Sequence, residues 1–452
     1  MKPDFDFIII GSGVLGCLAY DHISSRNGKV LLISEGNTYD DENPVIQTGP
    51  KKYSGILSGR KKGLGGTSQL WGGAMNINFE KTFIEQCQTE LINFDDEKKR
   101  IFDFFGIRNV NTKPKQKVYS SKKYNIYEEE IVWPSFAKRN VYKNLKKKYQ
   151  SQLKLKIGSY KKVEKIGKIY HLFIKMGPNK TEIFTCKKVI FCMGFIDNIG
   201  ENLKEKENFQ FKEHLSSPIG IISNTENFPL SSSLAYNFNH FKTKRYEIFD
   251  NKKRKSVGFI HLSNVKSDFL IKFRDLLICL QSFKTPPLRL IYDIIKLSYQ
   301  IFPIIKSMII NKGGISNNKS KSHIHLVIDK VQCAYITKSN NQLKINWDIS
   351  DVDIKVFKNL KLEMNKIIRS LIYISPSPKK SYVSSKTIEP KEIFHPFSGL
   401  RKKKCTNSEY IWVGTHALQE LGSLSPTLAS HFLKMKEYEN ARKNMCDYTN
   451  KK

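Results

Sequence analysis

Eight cysteines are scattered through the 452 residues without a single CxxC pair or any regular framework. That absence argues against a disulfide-stapled secreted fold and against a zinc ribbon, and it points to reduced thiols in a cytoplasmic setting. No HxxxH or HxH cluster pairs with carboxylates; His323 and His325 alternate in a strand pattern and share one face, so no metal site is expected. No apolar run approaches the ~20 residues that a membrane span requires. The opening MKPDFDFIIIGSG has no charged leader ahead of a long apolar core, so secretion is not expected. Acidic residues are outnumbered, 42 Asp and Glu against 76 Lys and Arg, for a formal charge of +34. Such a charge suits nucleic acid or an anionic membrane. Lysine, however, is spread along the whole chain with Asn and Ile, and no nucleic-acid module is recognisable. The expectation is therefore a solvated lysine-rich surface and no nucleic-acid partner.

The length allows two or three domains, and 40% hydrophobic residues suffice to fill their cores. The stretch FDFIIIGSGVLGCLAYDHI reads as a buried strand, Phe5 to Ile10, followed by a Gly-x-Gly-x-x-Gly turn at Gly11, Gly13 and Gly16 that opens a helix. In such a turn the first glycine permits the bend, the second lets backbone approach a pyrophosphate, and the third lets the helix pack closely on the sheet. A second apolar strand, Val30 to Ser34, ends in Glu35, about 20 residues past the glycines, where a carboxylate can bind both ribose hydroxyls.

A second glycine-rich stretch, KKGLGGTSQLWGGAMN, sets five glycines among the eleven residues 63–73 together with Thr67, Ser68 and Trp71. A nicotinamide cofactor has no use for it, whereas FAD is longer and its ring system needs a backbone cradle of its own. Two further strand patterns, KKVIFCMGFIDN ending at Gly194 and EYIWVG ending at Gly414, can join the same parallel sheet. The second leads through a loop to a helix opened by Pro426.

GSGVLG at Gly11, GLGGTSQLWGG at Gly63, VIFCMGFIDN at Val189, FKEHLSSP at Phe211, FHPFSG at Phe394 and VGTHALQELGSLSPTL at Val413 together resemble the glucose-methanol-choline (GMC) family of FAD-dependent oxidoreductases, most of all its sugar-oxidising branch. The resemblance implies a flavin contact at Gly65, Gly66, Thr67 and Ser68, and further cofactor contacts at Gly414, Pro426 and Thr427. Trp71 either shapes the flavin pocket or fills the core. Some relatives bind FAD covalently through a His just before this Trp. Leu70 stands there, so noncovalent FAD is expected. The resemblance makes His395 the general base, a task that suits the near-neutral pKa of imidazole. Most members place an Asn or His before the Pro-Thr of the last loop; this chain has Ser425, and either Ser425 or His416 would have to supply the missing donor. His214 is read as structural or flavin-proximal, and His431 as a core or surface histidine.

The expected fold is α/β: a discontinuous Rossmann-like FAD-binding domain (1–80, 151–220 and 390–452), a connecting or lid region (81–150), and an α+β substrate-binding domain on an antiparallel sheet (221–389). KSHIHLVIDKV and NQLKINWDIS alternate as antiparallel strands. A helix capped by Ser350/Asp351 follows, with Val352, Val356, Leu360, Met364 and Ile368 expected on one apolar face. The segment 268–311 is strongly apolar, broken by prolines and dotted with Lys and Arg. Two amphipathic helices there would suit peripheral membrane contact, a lid over the substrate site, or a dimer interface. The function expected is oxidation of a CH-OH group of a sugar or sugar derivative. The alternatives are a flavin-binding protein without turnover and a membrane-associated enzyme acting on a lipid-linked substrate. The electron acceptor is left open.

Overall fold

The computed structural model describes residues 2–36, 45–47, 62–69, 73–76, 79, 81–87, 93–108, 110, 114–205, 207–223, 235–237, 240–264, 272, 276, 279, 285–302, 322–340, 342–374, 381–385, 390–392, 410–413 and 426–449. It is a mixed α/β protein with a parallel-centred sheet and a large antiparallel one.

The parallel unit is built on the strand Phe5–Ile10, which lies between Val30–Ser34 and Thr181–Phe191; Leu155–Ile157 extends it beyond Val30–Ser34. The strand Thr181–Phe191 serves two neighbours on its other side. Its first half pairs antiparallel with Ile169–Lys175, and its last two residues pair parallel with Ile411–Trp412. Side chains alternate between faces, so a strand buried on both sides must be apolar throughout. Phe7, Ile9, Val30, Leu32 and Ile190 face a helical core, while Ile8, Ile10, Leu31, Ile33 and Phe191 face the other side with Trp412. The helical core is made by Val14–Ser24, Phe94–Phe104, Val141–Tyr149 and Pro426–Thr449.

Among the described residues the second sheet has nine strands; its main path runs Ser381–Ser384, His214–Ser223, Ser322–Asp329, Lys255–Asn264, His240–Asp250, Tyr124–Pro134, Gln116–Ser120. The segment 81–150 is therefore shared: its helices pack on the parallel unit, and Tyr124–Pro134 lies inside the antiparallel sheet. A small four-stranded sheet holds Asn208–Phe211, Ala334–Ser339, Gln342–Asn346 and Val45–Gln47.

The helix Asp351–Ile374 forms and is capped as its sequence suggests: the Asp353 carboxylate accepts from Ser350 N (3.0 Å) and Oγ (2.7 Å), and Asp353 N donates to Ser350 Oγ (3.2 Å). Its apolar face differs from expectation. Val352 and Val356 are exposed, and the buried stripe is Phe357, Leu360, Met364, Ile367, Ile368 and Leu371. Residues four apart advance about 400°, so a run of fours drifts round the helix, and only mixed steps of three and four stay on one face.

Candidate functional site

The carboxyl ends of Phe5–Ile10, Val30–Ser34, Thr181–Phe191 and Ile411–Trp412 lie on the same edge because these strands run parallel. In open α/β sheets ligands bind beyond this edge. The chain from the central strand turns here through Gly11, held by Gly11 N to Ile33 O (2.8 Å) and Cys192 N to Ile10 O (2.8 Å). Gly11 has φ +105°, and a Cβ there would overlap the Cys192 carbonyl; one at Gly16 would overlap the Gly11 carbonyl. At Gly13 a Cβ would meet nothing within 4 Å. Two glycines are thus required by packing, and the middle one faces open space. Gly13 is also the N-cap of the helix Val14–Ser24, and no side chain caps it. Helix N-termini of this kind present N–H groups and partial positive charge to an anion.

Ser12 joins this turn to the second glycine-rich stretch. Its hydroxyl lies 2.8 Å from Ser34 Oγ, accepts from Gly65 N (3.3 Å) and makes a long donation to Gly63 O (3.4 Å). One hydroxyl therefore ties the first turn, the end of the second strand and the second loop, within the one donor and two acceptor sites a hydroxyl offers. Gly63, Gly65 and Gly66 all have positive φ, and Gly66 N closes a turn on Gly63 O (2.9 Å). Ser68 is buried, donating to Gly65 O (2.6 Å) and accepting from Val141 N (3.3 Å), so its hydroxyl shapes the loop. Thr67 is exposed. Glu35 is partly exposed at the end of its strand and pairs with Lys62 at 3.6 Å. Past the loop, Asn76 donates to buried Glu129 of the antiparallel sheet (2.8 Å), whose other oxygen is 2.7 Å from Lys115 Nζ; Lys115 also binds Glu247 at 2.7 Å. Burial raises the Glu129 pKa, Lys115 opposes the rise, and Glu247 adds to it.

The other two strand ends are joined by Asn198. Fully buried, it accepts from Met193 N (3.1 Å) and donates to Val413 O (3.0 Å), on the first turn beyond Gly194 at φ +101°. Sequence reasoning singled out neither Ser12, Ser34 nor Asn198. Ser12 occupies a variable position of the glycine motif, and nothing in the pattern marks a hydroxyl as its hub. Pro426 opens the C-terminal helix with half-buried Thr427 beside it. His395, His416, Gly414, Ser425, Leu70 and Trp71 lie outside the described residues.

His431 is buried in the helical core. Its Nε2 lies 2.7 Å from Glu97 Oε1, and His22 Nδ1 lies 3.0 Å from Glu97 Oε2. Among the described residues these three side chains form a grouping with metal-ligand chemistry, although the sequence pattern suggested none. Arg100 pairs with Glu97 and Asp21, and Arg26 lies 3.8 Å from Glu97. Two guanidinium groups already supply the positive charge a metal ion would bring, so the cluster reads as a buried ion-pair network binding three helices.

The sequence matches no protein-family model and no curated protein. Solved structures similar to this chain include pyridoxine 4-oxidase from Mesorbium loti, with TM-score 0.46 and 11% identity over 97% of this chain and 99% of that one. A flavoprotein/dehydrogenase from Cytophaga hutchinsonii has TM-score 0.35 and 10% identity over 96% and 77%. Halogenase PltM has TM-score 0.34 and 9% identity over 99% and 70%. At these values the site is read from the chain's own glycine turns and hydrogen bonds.

Proposed function

We propose that the chain is an FAD-dependent oxidoreductase of the GMC type that oxidises a CH-OH group, of a sugar or sugar derivative. The observation that carries this reading is the contrast among the three glycines: Gly11 and Gly16 are closed by packing, while Gly13 is open before an uncapped helix start. The residues fit a dinucleotide: the pyrophosphate would lie against Gly13 and the helix start, with Glu35 on the ribose and Gly65 and Gly66 lining the ring. When bound, noncovalent FAD supplies a hydride acceptor. The chain's own tasks are to hold the alcohol and to accept its hydroxyl proton. His395 takes the proton, since an imidazole is largely unprotonated at neutral pH. Ser425 or His416 donates a hydrogen bond to the substrate oxygen.

The test is anaerobic stopped-flow of the flavin-loaded protein against sugars and alcohols, following bleaching at about 450 nm. Reduction by one carbohydrate class, slowed ~10²-fold or more in His395→Ala, is the expected result. Bound flavin that stays oxidised throughout would favour the second reading, a flavin-binding protein without turnover, for which Ser425 in place of Asn or His already speaks. A preparation that binds no flavin would overturn both.

A further inference from the structure

Within 268–311 the structure places a helix, Leu288–Lys296, that begins after Pro286-Pro287 and buries none of its residues. A 3-10 turn, Ser298–Gln300, and helical residues 301–302 follow it. Leu288, Ile291, Tyr292, Ile295, Tyr299 and Phe302 are all exposed, Leu288 by 85% and Phe302 by 75%. Leu288, Ile291, Tyr292 and Ile295 recur within the helix at spacings of three and four, which keeps them on one stripe of about 100°, and Tyr299 and Phe302 continue the exposed apolar run beyond it. Globular helices turn such a stripe inward, so its exposure calls for an occupant.

The charge around the stripe selects among occupants. Arg289 and Lys296 stand on the helix beside the apolar residues, and its acid, Asp293, is neutralised by Lys272 at 2.9 Å. Across 268–311 six Lys and Arg face three Asp and no Glu, in a chain of formal charge +34. A cationic, aromatic-bearing stripe matches the acyl and headgroup boundary of an anionic bilayer: the apolar face enters, the tyrosines sit at the interface, and the long cationic side chains reach the headgroups. Among the described residues no helix is long and apolar enough to cross a membrane, so the contact lies in the plane of the surface. We infer that residues 288–302 dock this protein on the surface of an anionic membrane.

The experiment is flotation of the full-length, flavin-loaded protein with vesicles of phosphatidylcholine alone or with roughly one third phosphatidylserine. Wild type is expected to float with the anionic vesicles and to lose binding as salt is raised. The triple variant Leu288→Ser, Ile295→Ser, Phe302→Ser is expected to lower the bound fraction at least about tenfold. Arg289→Glu with Lys296→Glu is expected to do so on anionic vesicles by about tenfold. Leu288, Arg289, Ile295 and Lys296 lie on a helix with no buried residue and Phe302 is exposed just beyond it, so circular dichroism should be unchanged, and a variant that misfolds is replaced by its single substitutions. Equal flotation of wild type and the triple variant would overturn the inference, as would binding indifferent to phosphatidylserine. Wild type that floats with neither vesicle and whose light-scattering mass falls from dimer to monomer in the triple variant would assign the stripe to a second copy instead.

Discussion

The side-chain oxygens of Ser12 and Ser34 lie 2.8 Å apart, both buried, and through Ser12 the second strand is fixed to a glycine loop about 50 residues from the first turn. Because Gly65 N also donates to Ser12 Oγ, Ser12→Ala leaves a buried N–H without its acceptor. The expected cost is about 1–3 kcal/mol. Urea unfolding measures it, and equilibrium dialysis should show weaker flavin retention; a variant as stable as wild type would mean the hub is not a support.

Stability and cofactor binding should separate among the three glycines. Gly13 has φ −69° and open space for a methyl, so Gly13→Ala should change stability by no more than about 1 kcal/mol while weakening flavin binding ~10-fold. Gly16→Ala, whose methyl overlaps the Gly11 carbonyl, should fail to fold at normal yield. If Gly13→Ala held flavin as tightly as wild type, the pyrophosphate would have to lie elsewhere.

Asn198→Leu removes the side-chain bonds to Met193 N and Val413 O and leaves both backbone groups short of a partner. A loss of about 2–4 kcal/mol is expected by denaturant titration. Hydrogen exchange should rise first at Met193.

The network around Glu97 predicts a bell-shaped pH dependence of stability. Burial opposes ionisation of Glu97, yet His22 and His431 hold its pKa well below the ordinary 4.5, so its contribution is present above that pH and lost as pH falls. Burial brings His431 down to about 4 from an ordinary 6.5 despite the Glu97 contact; between these values the unfolded chain binds the extra proton, and stability falls with falling pH. Burial also opposes charge on His22, but Glu97 and Glu439 outweigh it and raise its pKa. Its contribution is complete below 6.5 and is lost as pH climbs through the raised value. Facing these groups are Asp21, Arg26, Arg100 and Glu439, with Tyr438 against both rings. Unfolding free energy should therefore rise from pH 4 toward 6.5 and decline on the alkaline side. His431→Gln should flatten the acid limb alone.

Both glycine turns, the central strands and the alternating strands Ser322–Asp329 and Gln342–Asn346 could be read from sequence, because each is a local pattern: a period of two, a continuous apolar run, a glycine where backbone must pass. That the second of these strands belongs to the small four-stranded sheet and not to the large antiparallel one was not legible. The helix 351–374 was legible in extent, but not in the face it buries, since a spacing of four describes only a turn or two. Ser12, Asn198 and the trio His22, Glu97 and His431 were not legible. Their partners are fixed by tertiary packing across tens to hundreds of residues, and a serine or histidine carries no local mark of that. FHPFSG and Ser425 lie outside the described residues, so the catalytic pair stands on sequence alone.

The central strand Phe5–Ile10 pairs with Thr181–Phe191, which in turn pairs with Ile411–Trp412, and the helix behind the first glycine turn packs on Pro426–Thr449. During synthesis the first strand emerges with Val30–Ser34 but long before its other neighbour, Thr181–Phe191, and the last helix: at ~5–20 residues per second, roughly 20–80 s separate it from that helix. Until then the helical core lacks the part of its cover that Pro426–Thr449 supplies. The nascent protein should depend on chaperones, and a ribosome stalled before residue 411 should yield an aggregating fragment that no supply of flavin rescues.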